Sequence, residues 1–339
     1  MKVLVTGGCG YIGSHTIVDL VEAGYEVVCV DNNVRSDCSI HSKIYDITGV
    51  HVQHYITDVT NLDDLRQVFR ENPDISAILH FAAHKSVGQS VLNPLAYYRN
   101  NILGVVNVLQ CMTEFDVSYF VFSSSCTVYG NPTSIPVTEA HGMGIATSPY
   151  GASKQMCERI IQDYFRTHTA KRNACILRYF NPAGAHPSLL IGESARFGVP
   201  SLTTAIVLAA KERRPVKVFG SDYATRDGTC VRDFIHVCDV AAAHTKALNY
   251  LIQHHDVNVS IFNLAASKPR TVLETIRTFE RVHSISLDIE FCARRPGDVE
   301  AICADCTFAR KELDWEPKYG LEEIVKSAYE YEVRTSKNE

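Results

Sequence analysis

Across the first 180 residues two periods alternate, and that alternation leaves few folds open. The segments KVLVT (2–6), EVVCVD (26–31), HVQHYITD (51–58), ISAILHFAA (75–83), SYFVFSSS (118–125) and ACILRYF (174–180) are short and mostly apolar on both faces. Strands of that kind belong in a parallel sheet covered by helices on each side. Helical patterns over 11–23, 62–72, 94–114 and 149–169 separate most of them. Strand and helix in alternation predict right-handed crossovers and an α/β fold, a doubly wound parallel sheet of Rossmann type.

After residue 181 the pattern loosens. NPAGAHPSLLIGESARFGVP reads as a long Pro/Gly-rich loop, a length that in compact folds often serves function. Helical and strand patterns resume over 202–212, 216–219, 237–252, 260–265, 271–283, 287–292 and 321–334. A chain of 339 residues suggests two domains. The expected division is a nucleotide-binding domain over 1–180, rejoined by about 233–265, and a smaller α+β domain over 181–339 that covers a ligand.

The net charge is -5, with no basic stripe for nucleic acid and no polybasic segment for a membrane surface. No apolar run reaches the roughly 18 residues of a membrane span. The first residues, MKVLVTGG, enter a strand at once and leave no room for a signal peptide, so a cytoplasmic location is expected. In that compartment most of the twelve cysteines should stay reduced. Cys29, Cys111 and Cys175 lie in apolar runs and read as small buried hydrophobes. Cys303 and Cys306 form a C-x-x-C without a second pair at zinc-ribbon spacing, and the histidines form no H-E-x-x-H. No metal site is expected.

VTGGCGYIG follows the first strand and opens the first helix, placing Gly7, Gly10 and Gly13 at G-x-x-G-x-x-G spacing. The first glycine permits a tight turn, the second a close approach to a pyrophosphate, and the third close packing of helix on strand. The helix start then offers free N–H groups to phosphate. Asp31 ends the second strand, eighteen residues after Gly13. A carboxylate there accepts from both adenosine ribose hydroxyls and repels a 2′-phosphate, which favours NAD over NADP. Asp58 ends the third strand; with Val59 it can meet the adenine, or it can simply cap a turn.

The strand ending in Ser123, Ser124 and Ser125 is followed by SPYGASK, with Tyr150 and Lys154 one helical turn apart on one face. A serine hydroxyl, a phenol and an ammonium can thus converge beside a nicotinamide. A free phenol titrates near 10, and bringing it to neutrality takes roughly 4 kcal/mol of preferential phenolate stabilisation. The Lys154 charge and an oxidised nicotinamide are the expected sources. The phenolate could take the proton of a sugar hydroxyl while NAD takes the hydride from the same carbon, with Ser125 donating or relaying a hydrogen bond.

These segments, with HFAAHKSVGQSV, NPLAYYRNN, LRYFNPAGAHPS, DGTCVRDFIHVCDVA and RRPGDVEAICAD, resemble the extended short-chain dehydrogenase/reductases. Within that family they look like the UDP-galactose 4-epimerases, over nearly the whole chain. The resemblance implies reversible C4 epimerisation of a UDP-hexose on tightly bound NAD through a 4-keto sugar, with Tyr150 as base. It implies that Tyr11 and Ile12 meet the pyrophosphate, Asp31 and Asn32 the ribose, and Asp58 and Val59 the adenine. Phe81, Ala82, Ala83, Lys85, Asn100, Ser123 and Phe180 would line the cofactor, and Lys154 would also hold the nicotinamide ribose. Asn181, Phe219, Arg232, Arg295, Asp298 and Ile302, with Lys85, Ser125 and Tyr150, would form the UDP-sugar side. It further implies a homodimer through the helices over 94–114 and 149–169, and NNILGVVNVLQCM is apolar around more of its circumference than one buried face needs.

The chain departs from the family pattern in three places. Ser201 and Leu202 replace amides that commonly face the diphosphate, NLAASKP (263–269) replaces a glycine-rich stretch, and Ile302 is intermediate between a large tyrosine and a small cysteine in relatives. Rival readings are a 4-epimerase for N-acetylated or uronic UDP-sugars, a nucleotide-sugar 4,6-dehydratase, and a non-catalytic NAD-binding protein. Dehydration needs an acid/base pair just after the serine-tipped strand, where Cys126 and Thr127 stand instead.

Overall fold

A computed structural model of the chain describes residues 1–37, 39–167, 172–254, 257–295 and 297–337. In chain order the first half comprises β1 (Lys2–Thr6), α1 (Tyr11–Glu22), β2 (Glu26–Asp31), α2 (Ile40–Thr48), β3 (Gln53–Ile56), α3 (Leu62–Glu71), β4 (Ile75–His80), α4 (Val87–Leu92), α5 (Pro94–Glu114), β5 (Tyr119–Ser125), α6 (Pro149–Thr167) and β6 (Asn173–Tyr179). The rest comprises β7 (Asn181–Ala183), α7 (Leu202–Glu212), β8 (Val216–Phe219), β9 (Val231–Arg232), β10 (Phe234–His236), α8 (Val237–Gln253), β11 (Val259–Leu264), β12 (Arg270–Thr271), α9 (Val272–His283), β13 (Ile289–Cys292), α10 (Thr307–Glu312) and α11 (Leu321–Lys337).

Seven strands form one all-parallel sheet in the order β11-β6-β5-β4-β1-β2-β3. The double apolar character read in the sequence is used on both faces. Val3 and Val5 of β1 pack with Ile17 and Leu20 of α1 and Val240 and Leu248 of α8, while Leu4 between them packs with Leu65 of α3, Val105 and Val108 of α5 and Ile161 of α6. A second core joins α7, α9 and α11 over β8 and β13, around Val207, Val216, Phe279 and Val325.

Several boundaries differ from the sequence reading. The third strand shortens to Gln53–Ile56, and the fourth stops at His80, so Phe81–Ala83 leave the sheet. The last two residues of the helix expected over 149–169 lie outside the described residues. Helices α2, α4 and α10 went unread. All three are short; α2 lacks a side-chain cap and buries only Ile40 and Ile44, too little to print a period on the sequence.

Strand order reverses between β1 and β4, and the C-terminal ends of two such strands diverge to leave a crevice. The Thr6 hydroxyl and His80 Nδ1, 2.8 Å apart, join the two strand ends. On the other side of β5, α6 is fixed in rotation by a buried ion pair. Glu158 receives Nη2 of Arg178, from β6, at 2.6 Å and the hydroxyl of Ser124, from β5. Tyr150, Lys154 and Glu158 stand at i, i+4 and i+8, so the ion pair sets the direction of the two residues above it.

Removing one member of a buried pair leaves the other charge unmatched, typically at a cost of about 3–5 kcal/mol. Glu158→Ala should lower unfolding stability by that order in a denaturant titration, and Glu158→Leu with Arg178→Met should recover much of it. A loss below about 1 kcal/mol in the single variant would mean that Arg178 finds other compensation.

Candidate active site

The crevice opens into one cleft of about 1510 Å³. Its floor is the turn after β1. Gly7 has φ +70°, and a Cβ there would lie 2.7 Å from the Ala82 nitrogen, so the loops after β1 and β4 touch at the switch point. A Cβ on Gly13 would come within 2.3 Å of the Gly7 carbonyl oxygen. Gly10 caps α1 with no side chain, and Tyr11, Ile12 and Gly13 line the cleft at that helix start. This cradle of bare backbone fits a pyrophosphate, since a helix start offers N–H donors and the positive end of its dipole.

At one end of the cleft the Asp31 carboxylate accepts from the Cys9 nitrogen at 3.0 Å, the Asn33 nitrogen at 2.9 Å and the Ser36 hydroxyl at 3.0 Å. Burial and then the nearby Cys9 sulfur push its pKa up, against those bonds. Asn32 donates to Asp58 at 2.9 Å, and Asp58 also closes a turn onto the Thr60 nitrogen and hydroxyl. Asp58 is therefore a turn former that also faces the cleft beside Val59. Phe81, Ala82, Ala83 and Asn100 complete this wall.

Beyond the C-terminal end of β5, Ser123, Ser125, Tyr150 and Lys154 meet in the cleft. Lys154 is 3% exposed; its ammonium donates to the Ser123 carbonyl at 2.6 Å and lies 4.7 Å from the centre of the Phe122 ring. Burial lowers its pKa to about 8. Tyr150 is pushed above the ordinary phenol range by burial, and a hydrogen bond with Ser125 opposes the rise. The expected sources of phenolate stabilisation, the Lys154 charge and an oxidised nicotinamide, therefore have to act against this burial. His80 behind them is held neutral, lowered to about 3 by burial and then by the Lys154 charge. Ser124 points away into the Glu158 ion pair, and the Ser123 hydroxyl bonds the Tyr179 hydroxyl.

The opposite wall carries the residues assigned to the sugar nucleotide. Arg295 reaches Asp298 at 3.0 Å and lies 4.6 Å from the Phe219 ring centre, and Arg232 approaches Asp298 at 3.8 Å. The neighbouring Arg294 instead pairs with Asp222 on the surface at 2.8 Å. Asn181 keeps a buried side-chain oxygen without a partner among the described residues, an acceptor free for a ligand. Phe180, Asn181 and Ile302 all line the cleft. Lys85 spans the cleft to Glu193 at 2.7 Å. Glu193 also receives the Ser201 nitrogen at 3.2 Å and the Thr204 hydroxyl at 2.7 Å, and the Ser201 hydroxyl caps α7. The Ser201 departure is thus a helix cap tied to a buried acid.

Two positioning residues escaped the sequence reading. Glu193 sits in the Pro/Gly-rich loop; its being the one acid of residues 181–200 was the available signal. Asn101 accepts from the His84 nitrogen at 2.8 Å and donates to Ser153 at 3.0 Å, which in turn donates to the Tyr150 carbonyl at 2.7 Å. It ties the loop after β4 to the first turn of α6, and nothing in sequence marks it off from Asn100.

A glycine cradle at a switch point and a Tyr/Lys helix beside it are the architecture of extended short-chain dehydrogenase/reductases. A family model described as GDP-mannose 4,6 dehydratase matches residues 4–328. The chain is 42% identical over 336 residues to a UDP-glucose 4-epimerase of Bacillus subtilis, covering 98% of this chain and 97% of that one, and 43% identical over 340 residues to one of Pasteurella multocida, covering 99% of each. Among solved structures, the UDP-glucose 4-epimerase of Stenotrophomonas maltophila with bound NAD and formylated UDP-arabinopyranose superposes with a TM-score of 0.95 at 39% identity over 100% of both chains. That of Bifidobacterium longum in complex with NAD+ and UDP gives 0.94 at 38%, over 99% of both. This chain belongs to the UDP-glucose 4-epimerase family.

Gly13 offers a test of the cradle. Glycine to alanine inside a helix is ordinarily favourable by about 1 kcal/mol. Here the new methyl meets backbone at 2.3 Å, so Gly13→Ala should destabilise by about 2 kcal/mol or more in chemical denaturation. A neutral or stabilising result would show that the turn relaxes freely.

Proposed function

We propose that this chain inverts C4 of a UDP-hexose, interconverting UDP-galactose and UDP-glucose on a tightly bound NAD. The observation that carries the reading is the burial of Tyr150 and Lys154 on one turn of α6, where the glycine cradle and the arginine wall open into the same cleft. Bound NAD supplies the hydride acceptor that later returns the hydride, and a positive ring that favours the phenolate. Tyr150 takes the proton of the C4 hydroxyl and returns it to the same oxygen once the 4-keto sugar has turned to present the other face of C4; Ser125 holds that oxygen by a hydrogen bond. Lys154 holds the nicotinamide ribose and, as a buried cation, favours the ionised phenol. Gly7, Gly10, Tyr11, Ile12 and Gly13 hold the pyrophosphate. Asp31 and Asn32 hold the ribose, and Asp58 and Val59 the adenine.

On the sugar side Arg232 and Arg295 grip the UDP diphosphate, as two planar cations can, with Asp298 and Phe219 orienting them. Asn181 offers its free oxygen to the nucleotide sugar, and Ile302 bounds the pocket. Dehydration is disfavoured because Cys126, where an acid is needed, is buried and pushed up to about 12. We assign residues 1–180, with about 233–265, to cofactor binding and the rest to the UDP-sugar. A homodimer through α5 and α6 fits the exposed Leu95, Leu103 and Val106 of α5 beside the exposed Met156 of α6. Among the described residues no helix is long and apolar enough to cross a membrane, and all eleven described cysteines are free thiols, which suits the cytoplasm.

Incubation with UDP-galactose, UDP-N-acetylgalactosamine or UDP-galacturonate, without added NAD, should yield UDP-glucose from the first as the fastest conversion. A 4-keto-6-deoxy product, or none from any of the three, would overturn the reading. Tyr150→Phe should cut turnover by at least about 10²-fold with NAD retained; near-normal turnover would remove Tyr150 as the base. Leu103→Glu with Val106→Glu should give a monomer by light scattering, and an unchanged dimer would place the interface elsewhere.

A further inference from the structure

We propose that Cys9, Cys29, His41 and His54 form a binding site for one tetrahedrally coordinated transition-metal ion, zinc in the first place, beneath the adenosine end of the cleft. One donor atom from each of the four lies within 4.8 Å of each of the others. The Cys9 sulfur stands 3.9 Å from the Cys29 sulfur, 3.0 Å from His41 Nε2 and 3.7 Å from His54 Nε2. Zinc–sulfur bonds of about 2.3 Å and zinc–nitrogen bonds of about 2.0 Å at tetrahedral angles place sulfur pairs about 3.8 Å apart and sulfur–nitrogen pairs about 3.5 Å apart. Two of the three measured edges match within a few tenths of an ångström, and the third needs a small opening of the His41 ring.

The donor set itself selects the ion. Two thiolates and two neutral imidazoles around a divalent cation sum to no charge, which suits a place where both cysteines are buried and both histidines half-buried. That mixture of soft and borderline ligands takes zinc, cobalt or copper in preference to magnesium or calcium. The rings of His41 and His54 stack at 3.9 Å, so both present their edges to the same sulfur. Buried His41 Nδ1 has no hydrogen-bond partner, which leaves the sulfur as the ring's polar contact among the described residues.

The four ligands come from four elements: the turn after β1, β2, α2 and β3. Among these, α2 is weakly anchored, with no side-chain cap and two buried side chains. An ion would clamp α2 and the edge strand β3 onto the glycine turn, next to the Cys9 amide that bonds Asp31. The inference concerns a structural site and stands whether or not the proposed epimerisation is correct.

The test uses the full chain, stripped of metal by chelation and kept reduced, and titrated with cobalt(II). We expect one equivalent to give the visible bands of tetrahedral thiolate-bound cobalt, displaced by one equivalent of zinc, with a rise in thermal midpoint that a chelator reverses. His41→Ala, whose ring is only half-buried, should keep its circular dichroism and lose the bands, and Cys9→Ser should lose them too. Cys292→Ser, at a half-exposed cysteine outside the cluster, should retain them. Absence of bands in the reduced protein overturns the proposal, as do bands that survive His41→Ala. A reversible Cys9–Cys29 disulfide in a protein that takes up no metal would make the pair a redox element instead and also overturn it.

Discussion

The site depends on an ammonium taken out of water. Lys154 is almost wholly buried and donates to the backbone carbonyl of Ser123, and its proton is loosened as a result. That state is held by the surrounding structure. The donor sits on α6 and the acceptor on the end of β5, so helix and strand must keep one register. The Glu158–Arg178 pair, one turn further along α6, enforces that register from inside the sheet. A buried ion pair is often near neutral for stability compared with apolar replacements. Its value here is directional: it aims Lys154 and Tyr150 at the cleft. The same logic accounts for His80, which fills the space behind the lysine as a neutral ring bonded to Thr6 and adds no competing charge.

The sequence carried the sheet because its inner strands announce themselves on both faces, whereas the edge strand β3 buries none of its residues. Val3, Leu4 and Val5 could not alternate with water, and only a helix layer on each side explains such a run. Glycine spacing and Y-x-x-x-K were legible because they are local: one turn of loop and one turn of helix. What stayed hidden was long-range. Glu193 and Asn101 act on residues far away in the chain, at Lys85 and Ser153, through contacts that no local pattern records. The Cys9, Cys29, His41 and His54 cluster is hidden for the same reason, since its ligands run from residue 9 to residue 54 without a short-spaced pair. Cys29 was read as a small hydrophobe; it is buried as one, yet its sulfur faces another thiol. Burial is equally absent from a spacing pattern. Spacing shows which charges are near each other, while burial decides the sign of the resulting shift, and Tyr150 shows the difference.

Three of the cleft's cations are already paired before any ligand is considered. Lys85 has Glu193, and Arg232 and Arg295 converge on Asp298. Free guanidiniums would repel each other and spread toward solvent, losing the geometry that two planar cations need to share one anion. A carboxylate between them keeps both forks turned inward, and stacking on Phe219 fixes one plane. On the function proposed above, an incoming diphosphate would meet cations that need little reorganisation, which is where preorganised sites gain their affinity. Lys85 differs because its partner is buried while its own side chain is half open. It can swing toward a ligand only by leaving Glu193 short of a cation, and the Ser201 amide and Thr204 hydroxyl are what would hold that carboxylate meanwhile. The serine that departs from the family pattern has its physical place in the cap, where its hydroxyl accepts from the Thr204 nitrogen; its tie to Glu193 is through the main-chain N–H, which any residue but proline would supply.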